Sequence, residues 1–375
     1  MHALRLLSLI LLLPALHAPA ADPLDSWTPR SSPVTKELRD VARGGDSFVA
    51  VGRDGTLLAS ADGTTWTPHS LDTTDDFYAV AHGPNGFVAT GQGGLVATSP
   101  DGRQWTRRNP RTTAHLYTVC HGGGLFLAAS AGGVVITSAD GVEWTPRSSS
   151  PNAHWEGALH AAGRHVLVGY ARGGTAAVAG TTTDLAQWDI APTGYAMYLD
   201  SVTYFDGRFL AVGYAGGCQA SPDGRTWSPA VQASTRWLHA IEAGPGVVVA
   251  AGESGALVTS PDGTTWKRRT HPATGKVLWG LAFGADTFVV VGEDGTILQS
   301  APLPSSNASP ALRIRREAGG LVVSWPKEAA GFALEASEPG LKGPWSPVQA
   351  PVVTTQTEHT VTVPVQAGRF FRLRG

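Results

Sequence analysis

The sequence predicts an all-β protein: a seven-bladed β-propeller closed by an N-terminal strand, followed by a small C-terminal β-sandwich-like module. Three observations predict it. First, Trp27, Trp66, Trp105, Trp144, Trp188, Trp227 and Trp266 fall in one register, spaced 39, 39, 39, 44, 39 and 39 residues apart. A period of about 40 residues with strand-like content marks a propeller blade. Second, each period reads L-x-x-V-A … F-V-A-V-G-x-x-G-x-L-x-x-S-x-D-G-x-x-W, four short apolar runs punctuated by Gly and Asp. Third, the two ends of the array complement each other. The seventh copy stops at Ser300 without Asp-Gly or Trp, and Trp27 has no strands before it. An orphan fourth strand at the N-terminus would complete the last blade and leave no open sheet edge there.

The elements follow in chain order. Residues 1–20 carry Arg5, the apolar run 6–13 and Ala18-Pro19-Ala20, the pattern of a cleaved signal peptide. The apolar run is too short to span a membrane, so direct membrane insertion is not expected and the mature chain is expected in the periplasm or outside the cell. The propeller is expected over 23–301. Its first copy has strands at 38–42, 48–51, 56–60 and from about 66. The fourth copy carries five extra residues around Tyr170-Ala171-Arg172-Gly173-Gly174. A Pro/Ser linker at 302–310 follows. Beyond it the period vanishes, and residues 311–375 alternate as short strands around Leu312/Ile314, Leu321/Val323/Trp325, Val361/Val363 and Phe371/Leu373.

The recurrent turn is Ser60-Ala61-Asp62-Gly63-Thr64-Thr65-Trp66, repeated around Asp101, Asp140, Asp223 and Asp262. The fourth copy departs, with Asp184-Leu185. Such an Asp carboxylate accepts N–H groups of its own turn, and Gly tolerates the positive φ that follows. These turns resemble the Asp-box of BNR-type propellers, found in sialidases, sortilin-like receptors and photosystem II assembly factors. Here the motif is one residue shorter than the usual S-x-D-x-G-x-T-W. The resemblance implies that these aspartates are structural and lie on the face opposite the ligand.

Composition narrows the function. The chain has 28 Lys+Arg against 30 Asp+Glu, and loss of the leader with Arg5 leaves a net charge of −3. That gives no electrostatic case for nucleic acid. Cys120 and Cys218 sit on different strands of non-adjacent copies, so two buried thiols are expected rather than a disulfide. No Gly-rich phosphate loop, nucleophile elbow or Cys-His zinc spacing occurs, and no cofactor is expected.

The informative positions are those that break the repeat. Two residues before the uniform Val of strand 1, the copies carry Arg39, Tyr78, Tyr117, Glu156, Asp200, His239 and Trp279. If strand 1 lines the channel, as in the resembling families, these form a binding rim. Trp155, Trp237 and Trp279 all fall near the start of strand 1, with Tyr198 close by, and aromatic side chains there suit sugar rings or partner hot spots. Tyr170 and Arg172, in the long insertion, are further ligand candidates. His82, His121 and His160 share one position near the end of strand 1. Three imidazoles at one height offer a metal site, against the simpler reading of a repeated turn residue. The sequence thus predicts an exported, non-catalytic, monomeric propeller binding a protein or glycan on its strand 1 face. The alternatives are a glycan-cleaving enzyme, which needs a carboxylate pair about 5–10 Å apart, and an assembly factor for a membrane complex.

Overall fold

The structure is a computed structural model that describes residues 22–148, 152–174 and 176–304, then 312–317, 320–326, 333–337, 345–355, 358–364 and 370–374. The leader at 1–20 and residues 305–310 of the expected linker lie outside the described residues.

The protein is an all-β propeller. Among the described residues, seven four-stranded antiparallel sheets lie between Trp27 and Ser300. In six of them the strands follow in chain order. The first blade is Leu38–Gly44, Ser47–Gly52, Leu57–Ser60 and Thr67–His69. The seventh takes Leu278–Gly284, Thr287–Gly292 and Ile297–Ser300 from one end of the array and Trp27–Pro29 from the other. Trp27 pairs with Ser300, Thr28 with Gln299 and Pro29 with Leu298. The orphan strand therefore completes the truncated copy. Buried Arg269 of the sixth blade latches it there, its Nη1 donating to Asp22 (2.6 Å) and Asp25 (2.5 Å).

Strand 2 explains why the repeat reads F-V-A-V without polar alternation. Phe48 and Ala50 pack on Val289 and Val291 of the seventh blade, whereas Val49 and Val51 pack on Phe77 and Val80 of the second. Both faces of each sheet are covered by a neighbour, so both must be apolar. Seven such clusters occur among the described residues, one between each neighbouring pair of blades, the last and first included. Cys120 and Cys218 are buried free thiols in two of them, and burial pushes both up to about 12.

The Asp turns close each third strand onto the fourth. Asp62 Oδ1 accepts from Thr64 N (2.8 Å) and Thr65 N (3.2 Å), Ser60 Oγ accepts from Gly63 N, and Trp66 Nε1 donates to Gly63 O (3.0 Å). The turn N–H groups hold the Asp62 carboxyl below its usual range. At Asp184 the carboxylate bonds persist, but Leu185 takes the left-handed glycine position (φ 60°) and turns into the core. The Trp188 indole N–H is left without a partner there.

C-terminal to the propeller strands, a four-stranded and a three-stranded sheet share a core of Val323, Trp325, Leu334, Val361 and Val363. Among the described residues, no helix is long and apolar enough to cross a membrane.

If the N-terminal strand closes the ring, Trp27→Ala should cost about 3–5 kcal/mol, the usual range for truncating a buried tryptophan. Thermal unfolding followed by circular dichroism should show Tm falling by at least about 5 °C. An unchanged Tm would contradict the closure.

Candidate functional site

The site begins with an irregularity shared by all seven innermost strands, Leu38–Gly44, Phe77–Gly83, Leu116–Gly122, Ala153–Ala161, Leu199–Phe205, Leu238–Gly244 and Leu278–Gly284. Each begins with a β-bulge. In the first blade the register jumps from Leu38 to Asp40, and the other six jump at the equivalent place. The skipped residues are Arg39, Tyr78, Tyr117, Glu156, Asp200, His239 and Trp279. A bulge re-aims the extra side chain, and here all seven line one central channel cavity of about 730 Å³.

The bulge is held by glycine. The strand 2 residue paired just before the register jump is glycine in six blades, among them Gly52, Gly169 and Gly252, the exception being Ser130 in the third. A Cβ on Gly252 would stand 1.9 Å from Trp237 O, and one on Gly213 would stand 2.0 Å from Tyr198 O. The next N–H then donates to that same carbonyl: Glu253 N to Trp237 O at 2.9 Å and Tyr214 N to Tyr198 O at 3.0 Å. Tyr198 and Trp237, which precede their innermost strands, are thereby locked against the 2→3 turn, and their side chains join the rim.

These two columns build an aromatic belt. Arg39 pairs with Glu37 and lies over the Trp279 ring at 4.6 Å. Trp279 packs on His239 (4.2 Å), His239 on Trp237 (5.1 Å) and Trp237 on Tyr198 (5.7 Å). Tyr198 meets Tyr170 edge-on (4.4 Å), Tyr170 stacks on His154 (4.5 Å), His154 on Tyr117 (5.0 Å) and Tyr117 on Tyr78 (5.3 Å). The chain of contacts crosses every blade.

The carboxylates of the mouth have few cations near them. Asp200 Oδ2 lies 2.8 Å from His239 Nδ1. Burial, reinforced by the nearby Glu156 charge, pushes the Asp200 carboxyl well above its usual range, and burial lowers His239 to about 4. Glu156 Oε1 lies 3.1 Å from His154 Nε2, whose Nδ1 bonds the Tyr170 hydroxyl at 2.9 Å. Deeper in the channel, Asp40 accepts from Val80 N and Val41 N, both at 2.8 Å. Burial still raises Asp40 to about 7, and burial together with the Asp40 charge raises Glu242 to about 8.

The structure thus brings together Arg39, Tyr78, Tyr117, Glu156, Asp200, His239 and Trp279 around the channel, and joins Tyr198, Trp237 and Tyr170 to them. Trp155 corrects the expectation. It occupies the Leu38 position, on the opposite face, and is fully buried between the third and fourth blades. Arg172 is exposed and lines a separate cleft with Tyr170 and Ala131. His82 and His121 each pack edge-on against a phenylalanine of their own blade, and His160 against His165. They also fill the space over Gly44, Gly83 and Gly122 of the preceding blades. Among the described residues, no group of three His, Cys, Asp or Glu is placed to hold a metal ion. The Asp turns lie at this same far end, where Arg43 donates to Ala61 O. Sequence reasoning missed His154, Asp40 and Glu242. His154 holds the same position as Trp237 and Tyr198, one residue before the buried apolar side chain, so the repeat register contained it.

Asp40 and Glu242 should make stability depend on pH. Both bind a proton in the folded chain at pH values where the unfolded chain has lost it. Their contribution to stability should therefore fall as pH rises from about 4.5 to about 8. Glu242→Gln removes its share of that contribution, so its stability relative to wild type should rise across that range by several kcal/mol, about 1.4 kcal/mol for each pH unit. Urea unfolding across pH measures it, and parallel curves for the two proteins would contradict the assignment.

No protein-family model and no curated protein matches the chain. Solved structures do. The structure of YCF48 bound to a D1 peptide is 19% identical over 76% of this chain and 99% of that chain, with a TM-score of 0.62. YCF48 from Cyanidioschyzon merolae is 16% identical over 73% and 98%, with a TM-score of 0.58. A streptogramin B lyase structure is 12% identical over 74% and 98%, with a TM-score of 0.63. At these identities the likeness establishes the fold, a β-propeller that hosts binding and catalytic proteins alike.

Proposed function

We propose that this protein is a non-catalytic propeller that docks a polypeptide of a partner protein across its channel mouth. The reading rests above all on the aromatic belt: nine ring and guanidinium side chains in continuous contact around the mouth of a channel, five of them on the bulge positions. Aromatic side chains and arginine dominate binding hot spots, where large rigid surfaces bury area at low entropic cost. A propeller of similar fold, YCF48, was solved with a peptide bound. An assembly role for a membrane complex is the narrower form of the same reading. In this account the repeats are a short variant of the Asp-box, the leader exports the chain to the periplasm or beyond, and the C-terminal sheets serve attachment to other components.

A glycan-cleaving enzyme is the second reading. It is favoured by Glu156 and Asp200, which lie in adjacent blades at the mouth with a histidine beside each. Turnover of a glycan library, abolished by Glu156→Gln, would favour it over docking.

Selection of a phage-displayed dodecapeptide library on the immobilised protein tests the docking reading. Peptides enriched on wild type should lose at least about tenfold in affinity on the Trp237→Ala/Trp279→Ala double variant. Equal affinity for the two proteins would remove the belt from the account.

A further inference from the structure

The channel beneath the belt has a charge imbalance that docking of a neutral segment leaves unexplained. Four carboxylates line it: Glu156 and Asp200 at the mouth, Asp40 and Glu242 deeper. The cations that line the same cavity are engaged elsewhere. Arg39 is held by Glu37 and the Trp279 ring. Arg43, at the far end, lies over Phe48 and donates to Ala61 O. His82 and His121 are kept toward the neutral form by burial. Among the described residues, no free cation faces the four carboxylates.

A second observation points to a ligand. The His239 side chain is only 7% exposed, bonds Asp200 through Nδ1 and lines the channel, yet its buried Nε2 has no partner. The buried Trp279 indole N–H beside it is also unpartnered. A buried polar atom without a partner is costly, and a ligand group would satisfy both.

We propose that the channel mouth takes a basic side chain, the ammonium or guanidinium of a lysine or arginine on the docked polypeptide, between Glu156 and Asp200. This inference rests on the docking reading above and adds the chemistry of what is recognised. The aromatic rings of Tyr117 and Trp279 line the same cavity as the two carboxylates, an arrangement that attracts positive charge. An arriving cation stabilises Asp200 as a carboxylate. Asp200 then accepts the Nδ1–H of His239, which leaves Nε2 as an acceptor for an N–H of the ligand. The Trp279 N–H is free for a backbone carbonyl of the same segment. Burial raises Asp200, Asp40 and Glu242, reinforced at Asp200 by Glu156 and at Glu242 by Asp40, so binding expels protons. Affinity for a basic peptide should therefore rise with pH while the ligand itself stays charged.

The test uses the full chain, immobilised, and fluorescent heptapeptide sublibraries with a fixed central residue and randomised flanks. The fixed residues are lysine, arginine, norleucine, citrulline and aspartate. Lysine and arginine sublibraries should be retained about tenfold better than norleucine and citrulline at pH 8, with the advantage shrinking at pH 5.5. Glu156→Gln should erase the advantage, and Glu242→Gln should flatten its pH dependence. Glu143→Gln, on the exposed Asp turn of the third blade, controls for general surface charge and should change nothing. Circular dichroism confirms that each variant is folded. Equal retention of all sublibraries, lost in Trp237→Ala/Trp279→Ala, would overturn the basic-residue proposal while leaving polypeptide docking intact. Retention of no sublibrary would overturn both.

Discussion

One backbone device repeated around the ring governs the channel mouth. Each innermost strand begins with an unpaired extra residue, and in six blades a glycine of the second strand lets the carbonyl before the bulge approach until a Cβ would not fit. The N–H of the following turn then binds that carbonyl in blades such as the fifth and sixth. The seven bulge side chains are thereby turned toward the channel. Once they are fixed there, their identities are released from the packing that constrains the rest of the repeat. That release is why the bulge position holds Arg, Tyr, Glu, Asp, His and Trp in different copies, while the framework residues stay apolar. The scaffold contributes position, and the variable column contributes chemistry.

The framework was legible because its constraints are periodic. Strand 2 is sandwiched on both faces and must read F-V-A-V. The Asp turn needs a carboxylate and a residue tolerant of positive φ. The truncated seventh copy and the orphan Trp27 each lack what the other has. The mouth was legible only in part. Divergence within the repeat singled out the bulge column, but nothing local marks a bulge, which exists only as a register shift between two paired strands. Trp155 shows the consequence. It begins strand 1 as Trp237 and Trp279 nearly do, yet it stands one residue off their columns and on the opposite face, so it packs into the core between two blades. His154, its neighbour, takes the rim place instead. Asp40 and Glu242 escaped notice because a lone carboxylate in an apolar strand has no sequence signature. Only the ring geometry turns their side chains into one channel.

The electrostatics of the channel follow from the same geometry. Seven strands converge on an axis where carboxyl side chains lose water and gain few cationic partners. Carboxylates placed there shift toward their neutral forms, and His239 does the same from the other side. The result is a mouth with an aromatic rim over acids, Asp200, Asp40 and Glu242, shifted toward their protonated forms. Such a site is poorly suited to an anion and is poised to ionise when positive charge arrives.

The central claim is that the belt on the bulge column is a polypeptide-binding surface. A crystal structure of the protein with the tightest peptide from an unbiased selection tests it most directly. The account predicts peptide density across the channel mouth, in contact with Trp279, His239, Trp237 and Tyr198. Density confined to the outer fourth strands or to the Asp turn face would contradict it.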